Sequence, residues 1–207
     1  MVFELKKNTA NWPEQVAIIG GGRWARVLTT AIDIIAPEFV NLSIHTPNNI
    51  AQMKIWAKNN NLGHRVKIFD GYPEFNQKLI CPVIIANAAR NHEKAIEWAL
   101  SKRMPVLAEK PLTLNSIATK RLAELAVIND TYLAASNVFL FASYIKGFQK
   151  TIAKCRGKIA FIRFRWSDPQ TEKRGGETKY FDPRLTVFED WMPHVVSILE
   201  TIFQKKL

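Results

Sequence analysis

Cysteine is nearly absent from this chain, with two in 207 residues, and histidine is scarce, with four. Cys81 and Cys155 show no metal-ligand spacing, and His45 and His64 have no partners at such spacing. A zinc scaffold and a disulfide framework are therefore excluded, both cysteines read as reduced packing residues, and no metal site is expected. Long apolar runs are missing too: none reaches the roughly 18 residues that a membrane span needs. The start Met1-Val-Phe-Glu-Leu-Lys-Lys is too short and too acidic for a signal peptide. A cytoplasmic protein without membrane contact is the expectation.

Acidic residues are few, 18 against 29 basic ones, for a net charge of +11. The excess is densest late in the chain, where residues 146–207 hold 13 basic and 7 acidic groups. Such a field attracts phosphates, acidic partners or nucleic acid without choosing among them. No tight basic cluster interleaved with aromatics occurs, so nucleic-acid binding ranks behind an anionic substrate or an acidic protein partner. With 47% hydrophobic and 23% charged residues, the rest of the composition is that of a globular protein with a real core.

What is present begins with Val16-Ala-Ile-Ile-Gly20-Gly-Gly22-Arg-Trp-Ala25, an apolar strand that breaks into glycines and continues as an amphipathic helix. In Gly20-x-Gly22-x-x-Ala25 the first glycine permits a tight turn and the second lets the backbone approach phosphates. The small Ala25 lets helix pack closely on strand, and the helix N-terminus faces the anion. An ordinary strand-to-helix turn can use the same glycines, so context decides. Strands at Leu42 to His45, Val66 to Phe69, Val83 to Ala86, Pro105 to Ala108 and Thr131 to Ala135 alternate with helical segments. Asn48 or Asn49 is positioned to cap the second helix and Asn115 a later one. Strict alternation predicts an α/β fold, a doubly wound parallel sheet whose ligand lies at the C-terminal ends of the strands. After about Asn137 the pattern changes. A helix up to Cys155, a stop at Gly157, an alternating strand over Lys158 to Trp166, a long loop over Asp168 to Leu185 and a helix from Asp190 are expected.

Three further motifs, together with the glycine turn, make the chain resemble the Gfo/Idh/MocA family of NAD(P)-dependent oxidoreductases. They are Glu109-Lys110-Pro111, the run Val83-Ile-Ile-Ala-Asn87-Ala-Ala-Arg-Asn-His92, and Asp190-Trp-Met-Pro-His194. The resemblance implies a Rossmann dinucleotide-binding domain over residues 1–136. Residues 137–207 then start a partial α+β domain with an open antiparallel or mixed sheet, for substrate and oligomerisation. It also implies that Lys110 is an active-site residue beside the nicotinamide and that His92 lines the cofactor side, although a histidine opening a helix can equally cap or pack.

Chemistry supports those roles. Asp190 and His194 stand four apart, on one face of a helix, so their polar ends can converge. A histidine can pass a proton to a carbonyl or imine as hydride arrives, and a carboxylate can orient it. The plainer alternative makes Asp190 an N-cap and His194 a packed residue. A lysine directly after a parallel strand can stabilise developing negative charge. At the end of the second strand, Ser43-Ile-His45-Thr46 stands where NAD enzymes keep an acid for the ribose hydroxyls, and with Arg23 nearby this leans toward NADP over NAD. The expected catalytic residues are Lys110, Asp190 and His194. The expected cofactor residues are Gly20, Gly22, Arg23, Trp24, Ala25, His45, Thr46, Asn87, His92, Glu109 and Lys110.

Two departures from the family pattern bear on activity. Ala88-Ala89 replace a Pro-Asn turn and Met192 stands where glycine is usual. Family members also continue well beyond Leu207. The leading reading is a hydride-transferring oxidoreductase acting on a small carbonyl, hydroxyl or imine substrate, one version being a thiazolinyl imine reductase-like enzyme whose substrate rides on an acidic carrier protein. It is expected to self-associate into a homo-oligomer. The alternative is a non-catalytic nucleotide- or partner-binding protein on the same scaffold.

Overall fold

Apolar runs of five residues or fewer, those at the centre buried on both faces, build the sheet that organises the first part of the chain. The computed structural model describes residues 11–74, 80–155, 159–167, 173–174, 177–178 and 185–203. The chain divides into two compact units, residues 1–136 and 137–207.

In the first unit the elements are β1 (Gln15–Ile19), α1 (Arg23–Ile35), β2 (Asn41–His45), α2 (Ile50–Asn59), β3 (Val66–Phe69), β4 (Val83–Ile85), α3 (His92–Ser101), β5 (Val106–Ala108), α4 (Ser116–Ile128) and β6 (Leu133–Ala135). All six strands are parallel, in the order β3-β2-β1-β4-β5-β6. The order reverses between β1 and β4, and that switch point opens a crevice at the strands' C-terminal ends. Alternate residues of β1 enter two different cores. Val16 and Ile18 pack with Ala25 and Ile32 of α1 and Met53 and Ala57 of α2. Ala17 and Ile19 pack with Ile96 and Leu100 of α3 and Leu122 and Ala126 of α4. Period-2 side-chain alternation in the strands, met by apolar helix stripes above and below, is what fixes this three-layer arrangement.

Local signals act much as their chemistry suggests. The Asn115 side chain accepts hydrogen bonds from the amides of Ile117 (2.8 Å) and Ala118 (3.4 Å), capping α4. Asn49 precedes α2 but does not cap it; its Nδ2 donates instead to the Gly21 carbonyl at 3.0 Å. The loop from α1 to β2 is tied down by Arg65, whose Nε donates to the Val40 carbonyl at 2.8 Å and whose Nη1 meets Asp33 Oδ1 at 2.9 Å.

The second unit contains a 3₁₀ turn at Val138–Phe141, α5 (Ser143–Lys154), a two-residue antiparallel pair formed by β7 (Lys173–Arg174) and β8 (Glu177–Thr178), and α6 (Val187–Phe203). Three expectations need correction here. Residues 159–167 alternate as a strand would but join no sheet among the described residues, because alternation supplies an amphipathic ribbon whereas a strand needs a partner for its ladder. The span expected to be one long loop carries the β7–β8 pair. The final helix starts at Val187, one turn before Asp190, because Thr186 and Glu189 form a capping box: the Thr186 amide donates to Glu189 Oε2 at 2.8 Å and the Glu189 amide to Thr186 Oγ1 at 3.1 Å. Asp190 is therefore not the N-cap, and Pro193 lies in the second turn, where it removes a donor to the Glu189 carbonyl. The expected stop at Gly157 lies outside the described residues.

Candidate functional site

Backbone hydrogen bonds just past each strand align the C-terminal edge of the sheet. The Gly20 amide donates to the His45 carbonyl (2.9 Å), Thr46 to Phe69 (3.0 Å), Ala86 to Ile19 (2.8 Å), Glu109 to Ile85 (2.8 Å) and Ser136 to Ala108 (2.8 Å). Residues immediately after the strands are thereby set side by side, and seven of the predicted cofactor residues fall on this edge or in the turns leaving it.

The glycines divide their work. Gly20 has φ of +143°, and a Cβ there would lie 2.5 Å from the Ala86 carbonyl oxygen, so only glycine lets β1 close on β4. Gly21, which sequence reasoning passed over, packs so closely that a Cβ would fall 2.3 Å from Thr46 Oγ1. Gly22 has open space, with nothing within 4 Å of a Cβ position. It is the N-cap residue of α1, and no side chain caps the helix, so the first-turn amides are left to an incoming anion. Ala25 is fully buried and allows the close approach of α1 to β1. Arg23 opens the helix with its guanidinium 5.3 Å from the centre of the Trp24 ring, a cation–π contact on an exposed indole.

On either side of this turn sit polar groups with nothing to bond. His45, last residue of β2, is 6% exposed and stacks on Phe69 at 5.2 Å, and neither ring nitrogen has a hydrogen-bond partner. Burial lowers its pKa to about 4, opposed in part by the Gly71 backbone, which approaches without hydrogen-bonding geometry. Asn87 follows β4, and its buried Oδ1 likewise has no partner. Buried orphans of this kind are unfavourable by about 1–3 kcal/mol each, and two of them flanking an open glycine turn mark a site shaped for a polar ligand. An uncapped helix N-terminus, a glycine face open to phosphate and orphaned acceptors and donors for hydroxyls are together the donor set an NAD(P) dinucleotide requires.

The next strand brings Glu109 and Lys110. Glu109 is buried, and burial raises its pKa; the Ser136 side chain and the Lys110 charge pull the other way. His92 is 1% exposed, with Nδ1 2.7 Å from the Pro111 carbonyl oxygen and Nε2 3.1 Å from that of Asn87. A neutral imidazole has one N–H and can serve only one of them. Burial lowers the His92 pKa while the two carbonyls raise it. Both ring nitrogens face backbone, so His92 braces the turn bearing Asn87 against the segment bearing Lys110.

In the second unit Asp190 and His194 share a face of α6 at i, i+4 spacing. Aromatic rings surround the histidine: Phe139 edge-on at 4.9 Å, Trp191 at 5.6 Å and Trp166 at 6.0 Å, the two indoles lying 3.9 Å apart. Sequence reasoning did not single out Phe139, Trp166 or Trp191, which are distant in the chain and carry no joint motif. At the N-terminal ends of β4 to β6, opposite the glycine turn, lies a cavity of about 1000 Å³ bordered by Tyr72, Trp98 and Arg103; it holds none of the predicted residues.

A family model described as an oxidoreductase family with an NAD-binding Rossmann fold matches residues 15–135. The chain belongs to the Gfo/Idh/MocA family. Its first unit is accordingly an NAD(P)-binding Rossmann domain. Among solved structures of this fold, a putative oxidoreductase from Klebsiella pneumoniae is 20% identical with a TM-score of 0.63, covering 93% of this chain and 51% of its own. Biliverdin reductase from Synechocystis, in complex with biliverdin and NADP+, is 21% identical with a TM-score of 0.54, covering 69% of this chain and 44% of its own. A mutant 3-ketoreductase from Actinomadura kijaniata, in complex with TDP-benzene and NADP, is 22% identical with a TM-score of 0.57, covering 69% and 43%. The chain thus spans about half the length of these Gfo/Idh/MocA-fold structures or less. No curated protein matches it. Among the described residues no helix is long and apolar enough to cross a membrane.

Proposed function

We propose that this Gfo/Idh/MocA chain is an NAD(P)-dependent oxidoreductase acting on a small carbonyl, hydroxyl or imine compound. The observation that carries the reading is the C-terminal edge of the sheet. There the open face at Gly22 and the uncapped start of α1 meet the unpartnered polar atoms of His45 and Asn87. Bound there, the nicotinamide supplies or accepts the hydride. Gly22 and the first amides of α1 would hold the pyrophosphate, and Asn87 and Lys110 would serve the nicotinamide end. Lys110 hydrogen-bonds the substrate oxygen or nitrogen and stabilises the negative charge that develops on it. In the second unit, His194 is assigned the role of proton donor or acceptor, with Asp190 on the same helix face to orient and charge the imidazole. The rings of Phe139, Trp166 and Trp191 keep water from the histidine and offer flat faces to a planar or cationic substrate group. In the second unit Phe141, Phe161 and Phe188 are exposed, which supports self-association as that unit's further role.

Titration of the purified chain with NADPH and NADH, followed by nicotinamide fluorescence with the mass in solution recorded in the same buffer, tests the cofactor half. A panel of sugars, polyols, keto compounds and cyclic imines tests the chemistry. Lys110→Met and His194→Ala should each abolish turnover while holding cofactor affinity within a few fold. Unchanged turnover in both variants would overturn the assignment. Cofactor binding with no turnover of any panel member would favour a non-catalytic nucleotide-binding protein.

A further inference from the structure

We propose that the outward face of α1 is a dimer seam, on which α1 of a second copy of this chain docks antiparallel across a two-fold axis.

A helix that covers one face of a sheet needs one apolar stripe, and α1 has two. The inner one, at Ala25, Thr29 and Ile32, is buried, and the Thr29 hydroxyl donates to the Ala25 carbonyl at 2.7 Å. The outer one is exposed. It consists of Trp24 (42%), Val27 (40%), Ala31 and Ile34 (56%), with exposed Ile35 and half-buried Leu28 beside them. Steps of three, four and three residues from Trp24 to Ile34 are the repeat by which one helix packs along another. The charged side chains within the helix keep clear of this stripe. Arg26 and Asp33 lie well round the helix from it, and Asp33 is held by Arg65 Nη1 at 2.9 Å. Thr30 flanks the stripe on one side and Leu28 and Ile35 on the other, so an ionic partner finds nothing along it to pair with.

The stripe matches itself. In an antiparallel pair centred on Thr29, Val27 stands opposite Ala31 of the second copy and Trp24 opposite its Ile34. Small side chains then meet at the centre, where crossing helices approach most closely, and large ones fill the wider ends. Charge selects the same orientation. Arg23, which opens α1, falls beside the end of the second copy's α1, which has no basic residue in its last turn and is followed by the exposed Glu38. A helix C-terminus also attracts a cation. A parallel pair would set Arg23 against Arg23 and one bulky Trp24 against the other. The exposed parts of the stripe come to roughly 450 Å² per copy, about 900 Å² for the pair, which is the low end of specific interfaces and makes a dimer that exchanges with single chains at micromolar concentration. A patch of that size on one chain is also in the range at which apolar surface marks a contact site. This interface is separate from the exposed phenylalanines of the second unit.

The test is sedimentation equilibrium of the full chain over about 1–100 μM. Salt is held at about 0.15 M, where repulsion between chains of net charge +11 is screened beyond about 8 Å. The unmodified chain should associate across that range. Val27→Glu and Ile34→Glu each set a charge into the seam twice, once from each copy, and should weaken association by about a hundredfold. Both positions are exposed and glutamate is a better helix former than valine or isoleucine, so the urea midpoint of the dilute chain should stay where it was. Phe141→Glu, in the second unit, should leave this step of association in place. Orientation is read by mixing two chains, one Val27→Cys and one Ala31→Cys, both also Cys155→Ser. The antiparallel seam joins each to the other by disulfide, whereas a parallel one joins each to its own kind. The mass of one copy throughout, association unaltered in Val27→Glu and Ile34→Glu, or disulfides formed mainly between like chains overturns the proposal.

Discussion

Alanine substitution at Gly20 and Gly22, made separately, should divide the role of the glycine turn in folding from its role in binding. At Gly20 the backbone has φ of +143° and the new methyl would fall 2.5 Å from the Ala86 carbonyl oxygen and 2.6 Å from its carbon. Holding a residue with a side chain in that region is unfavourable by about 1–3 kcal/mol. Moving β4 off β1 to relieve the contact adds about 1–3 kcal/mol more, as at other overpacked sites. Gly20→Ala is thus expected to lose about 2–6 kcal/mol, a large part of the roughly 5–15 kcal/mol by which a domain is stable. At Gly22 the backbone is extended, with φ of −95° and ψ of −171°, and a methyl meets nothing within 4 Å. Alanine is a poorer N-cap than glycine, but it lowers the entropy of the unfolded chain, and the two effects leave stability within about 1 kcal/mol. Binding is another matter, because that methyl would stand where the pyrophosphate meets the first amides of α1. Loss of one charge-assisted hydrogen bond there, about 1.5–3 kcal/mol, weakens NAD(P) affinity by about ten- to a hundredfold. Urea unfolding without cofactor and fluorescence titration with NADH and NADPH report the two quantities independently. A folded Gly22→Ala chain that binds both nucleotides with unaltered affinity would refute the account of the turn.

Acid should destabilise the fold through its buried imidazoles. Burial depresses the pKa of His45 to about 4 and lowers that of His92, so the unfolded chain takes up these protons first. Their stabilisation is complete above about pH 6.5 and is lost as pH falls, by up to about 3 kcal/mol for His45. Urea midpoints at neutral and mildly acid pH should fall more steeply for the unmodified chain than for His45→Phe, a comparison in which the opposing contribution of Glu109 cancels; equal slopes would refute it. Arg65→Met leaves the Val40 carbonyl and the Asp33 carboxylate without their donor and should lose about 3 kcal/mol in the same assay. Thr186→Ala removes the capping box of α6 and should lose about 1 kcal/mol, seen as a lower unfolding midpoint or fraying of that helix by hydrogen exchange.

The first unit was legible because its signals are local and agree with one another. Apolar runs of strand length, helical stripes and the glycine turn specify βα units one at a time, and parallel pairing leaves little choice once they alternate. Asn115 announced the helix it caps. Asn49 did not behave so, since its amide finds a better acceptor in the Gly21 carbonyl, a partner that only the folded turn supplies. At the site, Gly20, Gly22 and Ala25 could be read from spacing, whereas the packing of Gly21 on Thr46 depends on β2 lying beside β1. In the second unit Lys158 to Trp166 has the alternation of a strand, but alternation carries no information about a partner. Asp190 ahead of an apolar run is itself a helix-start signal, and it competes in the sequence with the capping box formed by Thr186, four residues earlier, and Glu189. The rings around His194 come from three separated segments, and no spacing in the sequence links them.

The contact between Gly20 and the Ala86 carbonyl has a consequence for how the protein is made. The turn that receives the dinucleotide leaves the first strand, yet its shape is set by the fourth, which leaves the ribosome much later. Until β4 has inserted beside β1, a nascent chain has the glycines without the site. Long-range closure of this kind slows folding, and a nucleotide can act on the process only at its end, by trapping chains whose sheet is already complete. Bound NAD(P) then stabilises only chains whose fourth strand is in place, and leaves earlier stages of folding untouched.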